Sequence, residues 1–461
     1  MNVVLLVVDS LRARALGRRD PGPPRTPFLE QLSGDAVCFR RAYATECWTL
    51  PTHMSMFTGQ LPSVHGAHFQ RMEYAGAHPT IAELLCAEGF HTEVVTRNSL
   101  FDGTVPGATR GFQANTRLLG NLGAVASPLG LVLALSKPRL RRLIESSGFF
   151  TLVQKQQRDI LLTLARMGVP ADERVLTHVL ERMAELRRRS RPFFLFANLY
   201  DVHAPYSPSL RSPLRSFRSF AGWRENLALP WLLPKVSSHA YLRPGFRMAP
   251  SGRRILLDRY HRAIELMDAK LAGFYFQARS AGLLDDTLLV VTADHGEAFG
   301  EHQLYFHDAS VYDTHLRVPL WVHHPGVAPS VVDDVVSTAG LFELFRSVAL
   351  GTGLRGTLLD AHARAACPVA LAEHFHHPDT HGMMPHYAQN LAAAVVGHRK
   401  LTLRHEGAEQ CNLDADPDET SPEPATIEDF AATCVRAGYP RAAVELAVGH
   451  LARGLPTSVA A

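Results

Sequence analysis

Short, almost wholly apolar runs alternate along the chain with longer stretches of helical spacing, and several of the apolar runs end in a polar residue. Asn2-Val-Val-Leu-Leu-Val-Val-Asp9 reads as a buried strand closed by a carboxylate. Val37–Thr45, His91–Thr96, Pro192–Tyr200, Thr287–Asp294 and Val318–Gly326 read as further strands, the last closing the main sheet. Between them, Thr26-Pro27 starts a helix, with threonine as N-cap and proline at the first helical position. Thr80–Glu88 is a helix ended by Gly89, and Glu173–Arg189 and Arg253–Ser280 carry helical periodicity. Leu61–Gly66 reads as a turn. Alternation of this kind predicts an α/β fold, a large and mainly parallel sheet flanked by helices.

Two stretches break the alternation. Over about 114–170 the pattern predicts a helical insertion above the mouth of the sheet. Its apolar piece, Leu129–Leu135, runs into Lys137, Arg139, Arg141 and Arg142, which read as a solvated face; surface contact with a membrane is the rival reading. A Pro- and Ser-rich loop covers about 207–251, and loops of that length inside a domain are usually functional or mobile. From Val331 the character changes: a helix over Leu341–Leu350 precedes short strands at Leu391–Val396 and Lys400–Leu403. The division expected is a main domain over 1–330, a smaller C-terminal α+β subdomain over 331–426 and a helical tail over 427–461.

Composition narrows the classes. A chain of 461 residues, 46% hydrophobic, can bury one large core and a smaller one. A net charge of +3 with both signs abundant excludes a nucleic-acid binder, and the run Arg187–Arg189 suits a helix C-terminus. The six cysteines show no metal-type spacing and read as free thiols of a cytosolic protein. The first strand starts at residue 2 with no basic segment before it, so no signal peptide is expected and the expected location is cytoplasmic. No apolar run is clean enough to span a membrane, since Leu118–Leu135 is broken by Asn121, Pro128 and glycines.

The chemistry gathers around Thr45–Gly59, Thr-Glu-Cys-Trp-Thr-Leu-Pro-Thr-His-Met-Ser-Met-Phe-Thr-Gly. Pro51 suits the first turn of a helix, which puts Thr49 at a helix N-terminus, where N–H groups and the dipole favour an anion. The run Met54–Phe57 reads as amphipathic. Ligands of open α/β sheets bind beyond the carboxyl ends of the strands. Two such ends carry Asp9 and, within Asp294-His295-Gly296-Glu297, Asp294 and His295; with Thr49 these three make a metal and nucleophile set.

At these residues the chain resembles the sulfatase branch of the alkaline phosphatase superfamily, from Asn2 to about Gly326 and weakly again near Asp414–Glu419. The resemblance implies an alkaline phosphatase-like sheet and a metal-dependent ester hydrolase. Sulfatases carry Cys-x-Pro-Ser/Thr-Arg, in which the cysteine becomes formylglycine; here the run is Thr49-Leu50-Pro51-Thr52-His53, and Cys47 lies two residues too early. Threonine resembles instead the phosphodiesterases and phosphoethanolamine transferases of the superfamily, so no formylglycine is expected. Asp9, Thr49, Asp294 and His295 match family metal ligands, although the second acidic residue of many members is Ser10 here. Imidazole among oxygen ligands favours zinc or manganese over calcium for the one divalent ion implied.

His203 in His-Ala-Pro-Tyr and His307, twelve residues beyond His295, match substrate-contacting positions, with His53 and Asn98 as weaker candidates and His302 behind them. The histidines 374, 376, 377, 381 and 386 repeat no known metal spacing. The function implied is hydrolysis of a sulfate or phosphate ester of a small molecule, lipid or glycan through Thr49, with no nucleic-acid partner. Its rivals are transfer of a phosphoethanolamine-type group to an acceptor hydroxyl and a non-catalytic binding protein on the same fold.

Overall fold

A computed structural model of the chain describes residues 1–17, 20–76, 78–118, 172–204, 206, 246–307, 309–376, 389–436 and part of 439–449. Among the described residues ten strands precede residue 340: β1 (Asn2–Val8), β2 (Val37–Tyr43), β3 (His91–Thr96), β4 (Ala114–Arg117), β5 (Phe193–Leu199), β6 (Thr287–Thr292), β7 (Ala298–Phe299), β8 (Tyr305–Phe306), β9 (Arg317–His323) and β10 (Ser330–Ser337). Eight of them form one sheet in the order β10-β2-β9-β6-β1-β5-β3-β4, and β7 pairs with β8 apart from it. Only β9 runs against its neighbours β2 and β6.

The central strands are buried along their whole length and mostly apolar because helices cover both faces of the sheet. β1 runs parallel to both β5 and β6, with Val8 opposite Leu199 and Val7 opposite Thr292, so three carboxyl ends converge at one edge. The long helix Pro250–Ser280 lies across this layer. Its Asp268 carboxylate accepts from the N–H groups of Phe28 and Leu29, capping the helix Pro27–Leu32 whose own Thr26 makes no side-chain cap.

The second layer is an antiparallel sheet of β11 (Val369–His374), β12 (Leu391–Val396), β13 (Arg399–Arg404), β14 (Gly407–Asn412) and β15 (Glu423–Ala425). Its strands alternate: Leu371, Leu401 and Leu403 pack towards the helix Ile427–Arg436, while Ala370, Ala372 and Leu391 pack on Tyr43, Val311 and Leu316 of the main domain.

Four expectations are corrected. β9 lies inside the sheet and β10 forms its edge, hydrogen-bonding in parallel to β2. The main domain therefore runs past 330: the helix Leu341–Leu350 also joins its core through Leu341, Leu344 and Phe345. Half of β10 is exposed, with Asp333 and Asp334 in its middle, so its sequence does not read as a buried strand of the main sheet. Residues 114–117, assigned to the insertion, are the edge strand β4 paired with β3. The helix Thr49–Thr58 is buried on every side, so it presents no face to solvent and Met54–Phe57 is not an amphipathic surface run. The insertion from 119 on, the loop 207–245, the histidines 377, 381 and 386 and most of the tail beyond 436 lie outside the described residues. No described helix is long and apolar enough to cross a membrane.

Candidate active site

Asp9 follows β1, Asp294 and His295 follow β6, and all three side chains are fully buried. One ligand atom from each lies within 4.8 Å of the others. His295 Nε2 stands 3.4 Å from Asp294 Oδ2 and 3.8 Å from Asp9 Oδ1. Thr49 is the first residue of its helix, and its Oγ1 lies 3.3 Å from the same Nε2. The Trp48 side chain makes no cap bond there, so it leaves the first-turn N–H groups to other acceptors.

Surrounding bonds orient each donor. His295 Nδ1–H donates to Gly296 O at 2.9 Å, which turns the Nε2 lone pair to the centre. Asp294 Oδ1 accepts from Ser10 N at 3.1 Å and His295 N at 2.9 Å, while the buried Oδ2 has no hydrogen-bond partner. Asp9 accepts from Ser10 Oγ at 3.1 Å, Asn98 Nδ2 at 3.2 Å and Asn198 Nδ2 at 3.4 Å. Ser10 makes both bonds from a left-handed conformation, φ 64°, and Tyr260 of the long helix holds that turn by donating to Ser10 O at 2.7 Å. Gly296 is required by space: a Cβ would stand 2.0 Å from Thr314 O.

The electrostatics ask for a cation. Burial and the facing Asp9 hold the Asp294 carboxyl well above its usual range, and burial pushes the His295 imidazole well below its own. Two carboxylates and a neutral imidazole, with one carboxylate oxygen left unpartnered, are the donor set of a divalent ion, and they fit zinc or manganese.

The two further histidines join this set. The His307 ring centroid lies 4.3 Å from that of His295 and 5.0 Å from that of His203. His307 Nδ1 pairs with Glu297 Oε2 at 3.3 Å. His203 stacks on Tyr200, and its Nδ1–H donates to Ala204 O at 2.7 Å, leaving Nε2 as an acceptor. Burial lowers its pKa, which favours the neutral ring.

His53 is built into the core. Its Nδ1–H donates to Thr49 O at 2.8 Å, the ring packs on Phe101 and Phe196, and burial drives its pKa down to about 4. Asn98 matters more than its sequence suggested, since it bonds Asp9 and also accepts from Leu100 N. His302 stacks face to face on Tyr312 with ring centroids 3.6 Å apart. Sequence reasoning passed over Asn198 and Glu297. An amide near the end of the apolar β5 and the acid completing Asp-His-Gly-Glu were the available signals.

The family profile described as Sulfatase matches residues 1–350. The choline-sulfatase of Rhizobium meliloti (strain 1021) is 23% identical over 356 residues, covering 72% of this chain and 64% of that protein. The iduronate 2-sulfatase of Homo sapiens is 21% identical over 366 residues, covering 72% of this chain and 61% of the other. This chain thus spans less than two thirds of the length of either relative. Among solved structures, the phosphonate monoester hydrolase of Agrobacterium radiobacter superposes with a TM-score of 0.63 at 20% identity, over 98% of this chain and 96% of that one; at that identity the likeness carries the fold alone.

Proposed function

Since the chain belongs to the sulfatase family, we propose that it is a metal-dependent hydrolase of sulfate or phosphate esters with Thr49 as its nucleophile. The observation that carries this reading is the Thr49 hydroxyl 3.3 Å from His295 Nε2, beside the convergent Asp9, Asp294 and His295. Those three residues and Thr49 would hold the ion, zinc or manganese by their chemistry. Bound there, it would lower the pKa of the Thr49 hydroxyl and draw charge from an ester oxygen.

The residues of the chain divide the remaining work. Thr49 Oγ1 bonds to the central phosphorus or sulfur while the bond to the leaving oxygen breaks. N–H groups of the first helical turn face the charge that develops on the transferred group. His307, its Nδ1 anchored by Glu297, gives the proton at Nε2 to the leaving oxygen. His203, neutral and with Nε2 open as an acceptor, takes the proton of the water that attacks the same central atom and frees Thr49.

That second attack sets the substrate preference. A formylglycine hydrate expels sulfate from its own carbon without attack on sulfur. Threonine has one hydroxyl and no such exit, so its ester must be opened at the central atom, and phosphorus accepts that attack more readily. Phosphodiester or phosphonate ester turnover should therefore exceed sulfate ester turnover, with no maturation partner needed.

A leaving-group series tests the assignment. His307→Ala should cost about 10²–10⁴-fold on alkyl esters and much less on nitrophenyl esters, whose leaving group needs no proton. Equal losses across the series would take the acid role from His307.

A further inference from the structure

The polypeptide between β2 and the Thr49 helix meets the last residue of β11 in a second convergence of ligating atoms. Glu46, Cys47 and His374 are all buried, and one ligand atom from each lies within 4.8 Å of the others. His374 Nδ1 is 2.8 Å from Glu46 Oε1 and 3.5 Å from Cys47 Sγ. We propose that these three side chains form a second metal site, structural in role and selective for Zn²⁺.

Proton counting at His374 points to it. Nδ1 carries at most one proton, and the 2.8 Å contact with the Glu46 carboxylate uses it. The sulfur shares that nitrogen at 3.5 Å, so oxygen, nitrogen and sulfur gather around a single proton. A cation satisfies all three atoms at once. In a tetrahedral zinc site, with Zn–N about 2.0 Å and Zn–S about 2.3 Å, the N···S edge is about 3.5 Å and the N···O edge about 3.3 Å. The first edge is already present, and the second needs Glu46 to withdraw by about half an ångström.

Protons and charge both balance. Binding releases the Cys47 thiol proton to solvent and moves the Nδ1 proton of His374 to Nε2, an atom with no hydrogen-bond partner. Carboxylate, thiolate and neutral imidazole around a divalent ion give a net charge of zero, which a buried site tolerates. Thiolate and imidazole together select zinc over magnesium or calcium. Neither cysteine count nor spacing signals this site, because its ligands come from residues 46, 47 and 374.

The consequence is mechanical. Glu373 N already donates to Thr45 O at 2.8 Å, and Phe375 N to Glu46 Oε2 at 3.3 Å. An ion at this junction would clamp the segment leading into the Thr49 turn to the edge of the C-terminal sheet.

X-ray absorption and metal counting on the full chain loaded with Zn²⁺ alone test the proposal. Asp9, Thr49, Asp294 and His295 offer only oxygen and nitrogen, so a sulfur neighbour at about 2.3 Å reports the second site whatever becomes of the first. The expected result is two equivalents in the wild type and one in Asp294→Ala, the latter with sulfur in its spectrum. Cys47→Ser should remove the sulfur signal, and Cys86→Ser should leave it. Zinc without a sulfur neighbour in the wild type, or a sulfur signal that survives Cys47→Ser, would overturn it. Wild-type spectra need no variant to fold, and a wild type that binds one equivalent only, with sulfur in its spectrum, would count against the Asp9–Asp294–His295 reading instead.

Discussion

Asp294 shows how a single side chain can work against the fold that carries it. Burial and Asp9 raise its pKa, so the ionised pair is strained until a cation arrives. Asp294→Asn keeps the oxygen that accepts from Ser10 N and His295 N and turns an amide towards Asp9. Without metal the variant should melt roughly 2–8 °C above the metal-free wild type. With zinc or manganese the order should reverse, because only the wild type gains from binding. Differential scanning calorimetry with and without chelator measures both; a variant less stable in both states would contradict the strained-pair account. At this scale the sequence was most informative where a polar residue interrupts an apolar run, which is how Asp9, Asp294 and His295 stood out. It was least informative where the role depends on distant partners. Asn98 meets Asp9 across a long separation in sequence, and nothing local in the sequence places the His53 ring against Phe101 and Phe196.

Elements are legible when local pattern and burial agree. β1, β5 and β6 are buried on both faces and read as continuous apolar runs, so their type and their polar ends were evident. β10 exposes four of its eight residues because it is an edge, and its pairing with β2 depends on a partner far away in sequence. β11 carries a testable peculiarity. Its Glu373 accepts from Ser63 N at 2.7 Å and from Ser63 Oγ at 2.8 Å, and burial pushes its carboxyl up to about 7. A raised folded-state pKa means the unfolded chain loses its proton first as pH rises. The stability Glu373 contributes is thus fully present below about pH 4.5 and is lost by about pH 7. Glu373→Gln cannot ionise, so it should match the wild type in acid and exceed it by on the order of 1–3 kcal/mol above pH 7. Urea titrations at pH 4.5 and 8 check the sign; a variant weaker at pH 8 would refute it.

Among the described residues the two larger sheets meet through buried polar as well as apolar contacts, and the site sits at the carboxyl ends of the larger sheet. Lys400 of β13 is buried with Nζ 2.7 Å from Glu419 Oε1 and 3.3 Å from Asp313 Oδ1, and Asp313 opens the short helix that leads into β9. Lys400→Met leaves the buried Glu419 facing the partly buried Asp313 and should cost about 3–5 kcal/mol, most of it recovered by adding Glu419→Gln. Denaturant unfolding of the single and double variants checks this; an unchanged midpoint for Lys400→Met would mean that the sheets are held mainly by their apolar contacts. The central claim, that Thr49 opens esters at phosphorus more readily than at sulfur, has a direct test. Matched aryl sulfate, phosphate monoester and phosphodiester substrates are assayed side by side on metal-loaded protein, with Thr49→Ala as the blank. The account predicts kcat/KM highest for the phosphodiester, at least about 10³-fold lower in Thr49→Ala. Sulfate turned over fastest, or phosphodiester turnover that survives Thr49→Ala, would contradict it.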